Sequence, residues 1–295
     1  MFCPPSFSAT SAGSDSLPEV SHRAPRGQGY ATIRLSRSPA MRHILPIATL
    51  VLSSIVASPA LSAAAPPPLG EAAKTWASSM GHGAIATAEK RDGTWAFAMN
   101  GSPFPEGHAA VPPERVIFEI GSISKVFTAF LLADAVKDGK LALSDTLAQR
   151  FPAVKFQDPA VGAITLEHLA THSSCLPRLP SNFTQANGPD PYSQYDDIAL
   201  FEYLAAAKLD AQPPCEVAYS NLGFGLLGVV VERAQGKPWA SLVQEKIAGP
   251  LGMVDTVQVL SADQLTRLAD PWAGDKRSTS WTFKAMAGAG ALRST

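Results

Sequence analysis

The sequence predicts a mixed α/β (α+β) protein in which an antiparallel hairpin precedes a mostly helical body. Residues 83–99 contain two runs of strand character around an Asp-Gly pair, and such a pair between strands is a strong hairpin signal. Two long apolar runs follow, and they stop at Gly139 and Gly236. Apolar runs that end at a glycine are typical of buried helices.

The hairpin is expected to turn at Lys90–Gly93, and a polar loop is expected over 181–195. The predicted helices share a capping residue, proline or glycine at one end. In chain order they are 71–79, Ser122 to Gly139, a turn within 141–152, a helix after Thr165, one from Asp196 and Asp197 to about Lys208, one capped by Ser220 or Asn221, one from Pro238 through Ile247, and one after a Ser261/Gln264 capping box.

Residues 1–70 have the composition of a leader rather than of a folded region. Residues 1–40 are rich in Ser, Pro, Gly and Arg without an apolar period, so they cannot bury enough surface to offset their ordering entropy. Residues 41–63 have the order of a secretory signal peptide: a basic start at Met41, an apolar segment, and small residues up to Ala63. We expect translation to begin at Met41, 64–74 to be a linker, and 75–295 to form a periplasmic or secreted domain with no stable membrane span after signal cleavage.

The composition restricts the partners. The 295 residues are 46% hydrophobic and 17% charged, with a formal net charge of −1. This balance gives no electrostatic footprint for nucleic acid. We therefore expect no nucleic-acid partner and a monomeric protein.

Cys175 and Cys215 are the only cysteines outside the expected leader. In an exported protein such a pair favours a disulfide. The bond would close a loop of about forty residues and stabilise the fold by roughly 3 to 5 kcal/mol. The alternative is two buried free thiols.

The stretch FEIGSISKVFTAF at residues 118–130 places Ser122 and Lys125 three residues apart at the start of an apolar run. That spacing puts both side chains on one helix face. Burial would lower the pKa of Lys125 and make it a base for the serine. Alone, the pattern also fits a solvated lysine in a helix's first turn.

His168 and His172 are spaced i, i+4, which suggests a metal pair. A zinc-protease helix needs a glutamate directly after the first histidine, where this chain has Leu169, and no third ligand is evident. We therefore interpret both as structural histidines and predict no metal.

Tyr219, Ser220 and Asn221 stand at the start of an apolar helix. A tyrosine hydroxyl there could exchange protons with a leaving group, and an asparagine amide could hold both Lys125 and a substrate carbonyl. Tyr-x-Asn alone is equally well explained as a turn with a helix cap.

Four stretches in this order resemble the serine beta-lactamase and penicillin-binding protein family. They are FEIGSISKVFTAFLLADAVKDGKLALSDTL, ITLEHLATHSSCLPRLP, YSNLGFGLLG and GKPWASLVQEKIAGPLGM, of which Ser-x-x-K is a known signature. The most similar branch is that of class C beta-lactamases and the related D-alanyl-D-alanine carboxypeptidases and esterases. The resemblance covers about residues 75–295 and implies an antiparallel sheet flanked by helices plus an all-helical lobe.

The resemblance also implies roles for individual residues. Ser122 matches the acylated nucleophile, Lys125 its base partner, Tyr219 the tyrosine that passes protons, and Asn221 the asparagine that contacts the substrate amide. The Ser122 amide would supply one oxyanion donor. No metal or organic cofactor is required, and the partner is a small-molecule or peptidoglycan-peptide substrate.

The sequence departs from the family at two points. The family's Lys/His-Thr/Ser-Gly triplet does not occur in the 295 residues, which stop at AGAGALRST, before the last strands and closing helix of relatives. We expect a fragment of a longer enzyme or the product of a truncated gene. The other departure is Cys175, which stands where relatives more often have glycine.

Three functions follow as hypotheses. The first is a periplasmic serine hydrolase acting on a beta-lactam, a D-Ala-D-Ala peptide or a small ester. The second is a non-catalytic penicillin- or peptidoglycan-binding module. The third is an inactive truncated chain that does not fold.

Overall fold

The chain has the predicted hairpin followed by a helical body. A computed structural model describes Glu71, Thr75 and residues 84–91, 94–184, 189–273 and 276–295. Strands β1 (Ala84–Arg91) and β2 (Thr94–Gly101) are antiparallel, and their register runs from Ala84 opposite Gly101 to Arg91 opposite Thr94. The hairpin prediction is confirmed. The predicted leader, signal peptide and linker, and all of the first helix except Glu71 and Thr75, lie outside the described residues.

The helix that carries the Ser-x-x-K motif starts later than predicted. A 3₁₀ turn, Gly121–Ile123, precedes α1 (Ser124–Lys137). The sequence predicts α1 to be buried nearly all round, and this is wrong for one side of it. Ile123, Val126 and Phe130 are 58%, 68% and 51% exposed, because these positions share a face that does not point into the core.

Five of the other described helices begin at caps that the sequence predicts. Ser220 rather than Asn221 is the cap of the long apolar helix, since its Oγ accepts a hydrogen bond from the Gly223 N–H at 2.9 Å. Helix α2 (Leu147–Arg150) lies within the predicted turn at 141–152, and α3 (Pro159–Gly162) was not predicted. The helices with predicted caps are α4 (Leu166–Ala170), α5 (Asp197–Ala206), α6 (Asn221–Gln235), α7 (Trp239–Val243) and α8 (Ala262–Leu265). A short 3₁₀ turn, Pro113–Arg115, was not predicted.

The predicted helix from Pro238 through Ile247 is not one continuous α-helix. After α7 the chain winds into a π-helical turn, Gln244–Ala248. The turn ends where the Gly249 N–H donates to the Gln244 carbonyl at 2.8 Å. A Cβ on Gly249 would lie 2.7 Å from that carbonyl oxygen, so glycine permits the wider turn.

A short helix near the end of the chain, α9 (Ala287–Gly290), crosses α6 at glycine contacts. A Cβ on Gly288 would lie 2.7 Å from the Phe224 carbonyl oxygen and 3.0 Å from the Gly228 Cα. Only glycine lets two backbones approach this closely. The contact also brings α9 against α1, where Thr128 Oγ1 donates to the Gly288 carbonyl at 2.8 Å.

Short strands complete the described part of the chain. Strand β3 (Phe118–Glu119) pairs antiparallel with β6 (Arg293–Ser294), and β4 (Trp272–Ala273) pairs with β5 (Lys276–Arg277). Pairing of β3 with β6 fixes the segment that leads directly into the Ser122 turn. No described helix has both the length and the apolar character needed to cross a bilayer.

Candidate active site

Ser122 lies in the 3₁₀ turn directly before α1. Gly121 has a φ of 51°, in the left-handed region that glycine adopts without a Cβ clash. Lys125 follows Ser122 by three residues, in the first turn of α1, and side chains at i and i+3 share one face of a helix. Lys125 therefore stands over Ser122, with its Nζ 3.1 Å from the serine Oγ.

The Lys125 side chain is enclosed and is only 7% exposed. Its Nζ donates to the Asn221 Oδ1 at 2.9 Å and to the Ala289 carbonyl at 2.6 Å. Together with Ser122 these partners use all three N–H groups of an ammonium. Two of the three, the amide oxygen and the carbonyl, can only accept, so they fix the orientation of the amine.

Tyr219 reaches Ser122 from the segment before α6. Its hydroxyl lies 2.5 Å from the Ser122 Oγ, and the residue is 40% exposed. The Lys125 Nζ lies 4.8 Å from the centroid of that ring. Ser122 thus contacts both a lysine and a tyrosine, either of which can take its proton.

The surroundings lower the pKa values of both the lysine and the tyrosine. Burial lowers the pKa of Lys125, contacts with Tyr219 offset part of this, and the charge of Arg178 lowers it further. Burial raises the pKa of Tyr219, but the neighbouring Lys125, Ser122 and Arg178 outweigh it, so this pKa lies below its usual value. Each residue is therefore a better proton acceptor or donor near neutral pH than in water.

The backbone around Tyr219 is held by the neighbouring loop. The structure joins Cys175 to Cys215, whose Cα atoms are 5.4 Å apart, and the Cys215 N–H donates to the Ser173 carbonyl at 2.9 Å. The Ser220 Oγ donates to the Pro177 carbonyl at 2.7 Å. Cys175 stands where relatives more often have glycine, and its backbone explains that preference. Its φ of 62° lies in the region that favours glycine.

The structure brings together all four residues that the resemblance singles out, and it adds others that the sequence does not indicate. The Asn221 Nδ2 donates to the Tyr192 hydroxyl at 3.3 Å, which orients the amide. The Arg178 guanidinium lies 5.1 Å from the Tyr219 ring centroid. The alternating small residues of AGAGALRST, complementary to GFGLLG in α6, are a signal that could have identified the Ala289 contact.

The two histidines differ in their surroundings. The His168 Nδ1 accepts from the Thr165 N–H at 3.2 Å in a helix capping box, so its role is structural, as the sequence predicts. The ring of His172 instead lies 4.8 Å from that of Tyr219. In the described part of the chain no cluster of three or more His, Cys, Asp or Glu side chains could hold a metal.

Solved structures that align with this chain define the class of fold. The class C beta-lactamase of Rhodobacter sphaeroides aligns with a TM-score of 0.63 and 25% identity, over 77% of this chain and 61% of that one. A beta-lactamase/D-alanine carboxypeptidase of Pseudomonas syringae aligns with a TM-score of 0.64 and 24% identity, over 76% of this chain and 60% of that one, which shows the fold alone. The predicted fold class is confirmed.

The family model described as Beta-lactamase matches residues 74–295, and the chain belongs to that family. The D-alanyl-D-alanine-carboxypeptidase/endopeptidase AmpH of Escherichia coli (strain K12) is 35% identical over 163 residues, which are 55% of this chain and 42% of that protein. A beta-lactamase of Pseudomonas fluorescens is 30% identical over 156 residues, covering 53% of this chain and 40% of that protein. The chain thus spans less than half the length of these relatives.

Proposed function

We propose that this protein is a serine hydrolase that forms an acyl-enzyme on Ser122. The observation that carries the proposal is the position of the Ser122 Oγ, 2.5 Å from the Tyr219 hydroxyl and 3.1 Å from the Lys125 Nζ. A serine hydroxyl is a weak nucleophile until an adjacent base removes its proton. Membership of the Beta-lactamase family supports the same reaction class.

The hydrogen bonds of Lys125 determine how it acts when neutral. A neutral amine has two N–H groups and one lone pair. The Asn221 and Ala289 oxygens can only accept, so they take both N–H groups. The lone pair then faces Ser122, whose O–H donates to it.

The acylation step follows from these positions. As the Ser122 Oγ attacks the substrate carbonyl, its proton passes to the Lys125–Tyr219 pair and then from Tyr219 to the leaving group. The Ser122 backbone N–H is one of the first in its helical turn, where N–H groups have no intrahelical acceptor. It can donate to the developing oxyanion.

The charges around the site favour an anionic substrate. Arg178 is exposed beside Tyr219, and among the described residues no carboxylate forms a salt bridge with it. Penicillins and peptides that end in D-Ala-D-Ala both carry a carboxylate. We therefore place these two classes ahead of a small neutral ester, and the name of the AmpH relative favours the peptide.

The test is covalent labelling of the full chain with a fluorescent penicillin. We expect one label per chain, its loss in Ser122→Ala, and its retention in the control Ser102→Ala, since Ser102 is an exposed residue whose hydroxyl bonds the Phe104 carbonyl. Equal labelling of Ser122→Ala and the control would refute the assignment of the nucleophile.

The second candidate is a binding module that acylates without turnover. The contacts of Ser122 with Lys125 and Tyr219 account for acylation, and a module of this kind needs only that step. Stoichiometric labelling with no release of product would select it. A chain without a cooperative thermal transition would instead be an inactive, unfolded one.

We further propose that the protein is exported to the periplasm or secreted. The signal-like order of residues 41–63 supports this, as does the disulfide, which persists in oxidising compartments. Cell fractionation followed by N-terminal sequencing is the test. Mature protein that begins before Met41, or that stays in the cytoplasm, would contradict it.

A further inference from the structure

His172 is bonded to the backbone on both sides of Tyr219. Its carbonyl accepts from the Ala218 N–H at 2.9 Å, and its Nδ1 accepts from the Ser220 N–H at 3.1 Å. These two N–H groups belong to the residues immediately before and after the tyrosine. One residue therefore holds the Val217–Ala218 peptide before the tyrosine and the Tyr219–Ser220 peptide after it.

The imidazole also supports the tyrosine ring. Its centroid lies 4.8 Å from that of Tyr219 and 4.9 Å from that of Phe224, in tilted orientations. Phe224 belongs to α6, so the histidine ring connects Tyr219 to a buried helix. The tyrosine is 40% exposed, and without this support fewer contacts would restrict its rotation.

The backbone of His172 has an unusual conformation. Its φ is 60°, in the left-handed region that few residues other than Gly, Asn, Asp and His adopt. A non-glycine residue in that region occurs at functional sites more often than elsewhere. In this conformation the carbonyl and the ring of one residue both reach the Tyr219 segment.

The bond to Ser220 requires a neutral imidazole, because a protonated Nδ1 cannot accept. The surroundings favour that form: burial lowers the pKa of His172, and the charge of Lys125 lowers it further. The groups packed on the ring are Tyr219 and Phe224, and among the described residues no carboxylate pairs with it.

We propose that His172 is the positioning residue of this site: in its neutral form it holds Tyr219 against Ser122, and its protonation releases Tyr219 and slows acylation. This inference rests on the proposed function. It replaces the interpretation of His172 as a purely structural histidine.

The acid limb of the pH–rate profile, which is the fall of the acylation rate at low pH, measures this role. One proton must be absent from the Lys125–Tyr219 pair for acylation, whichever of the two residues accepts the serine proton. If His172 must also be neutral, two protonation steps inhibit acylation of the wild-type chain at low pH. The labelling rate then falls by up to about a hundredfold per pH unit, instead of the roughly tenfold that one protonation step gives. The rate of labelling by a fluorescent penicillin is followed between about pH 4 and pH 9.

Two substitutions of His172, by asparagine and by glycine, test its hydrogen bond with the Ser220 N–H. Both replacement residues tolerate the positive φ at position 172. His172→Asn keeps an acceptor that does not titrate, whereas His172→Gly has none, and both lack the ring. We expect His172→Asn to label with a one-proton acid limb. His172→Gly should label about tenfold more slowly than His172→Asn at neutral pH, as for the loss of one hydrogen bond.

A two-proton limb that persists in His172→Asn, or equal rates for the two variants, would overturn the inference. If the wild-type chain does not label at all, the proposed function fails, and the positioning role is tested by NMR of the wild-type chain. The Ser220 amide and Tyr219 ring signals must then shift with the same pH midpoint as the His172 imidazole. Signals that do not follow that midpoint would refute the role independently of activity.

Discussion

Removing the Cys175–Cys215 disulfide should reduce the stability of the fold by an amount that depends on the replacement chosen for Cys175. The bond joins positions 40 residues apart, and the chain entropy of closing such a loop corresponds to about 4 kcal/mol. Cys175 has a φ of 62°, where glycine is favoured over alanine by about 1 kcal/mol. Two double variants therefore differ only in this backbone cost.

We expect Cys175→Ala/Cys215→Ala to lose about 4 kcal/mol of unfolding free energy and Cys175→Gly/Cys215→Ala about 3 kcal/mol. Urea denaturation of both variants and of the wild-type chain, without reductant, measures the difference from midpoints and slopes. Equal midpoints for the two variants would refute the backbone reasoning. An alanine variant as stable as the wild-type chain would refute the loop-entropy reasoning.

Two further predictions concern the glycine contact and the pH dependence of stability. Gly288→Ala should destabilise the fold by about 1 to 3 kcal/mol, because the new Cβ would lie 2.7 Å from the Phe224 carbonyl oxygen. Penicillin labelling should slow as well, since the Ala289 carbonyl that orients Lys125 moves. An unchanged melting temperature would contradict the predicted loss of stability. The Arg267 guanidinium holds the pKa of Asp255 below its usual value, so this pair adds stability above about pH 4 and loses it as the pH falls through the folded-state pKa. Asp255→Asn should therefore have a lower melting temperature than the wild-type chain at pH 7, and the difference should narrow below pH 4. A difference in melting temperature that is constant with pH would refute a stabilising role for the Asp255–Arg267 pair.

The sequence predicts most of the helices because their determinants are local. Capping residues act within one turn, and the caps at Thr165 and Ser220 and the box at Ser261 have the hydrogen bonds that the sequence implies. The hairpin follows from an Asp-Gly pair between runs of strand character. Boundaries are less well predicted: Ser122 belongs to a 3₁₀ turn rather than to α1, and Gly249 permits a π-helical turn within the predicted helix after Pro238.

The sequence by itself determined the family, the main elements and the four side chains that meet in the site, because motif order and local capping are properties of short segments. The surroundings of those side chains depend on contacts over long sequence distances. The carbonyl that orients Lys125 comes from Ala289, 164 residues away. The residue that hydrogen-bonds to the backbone on both sides of Tyr219 is His172, 47 positions earlier in the sequence. Only the packing of α9 against α1 and α6, made possible by glycine, and the crosslinked loop before Tyr219 place these groups together.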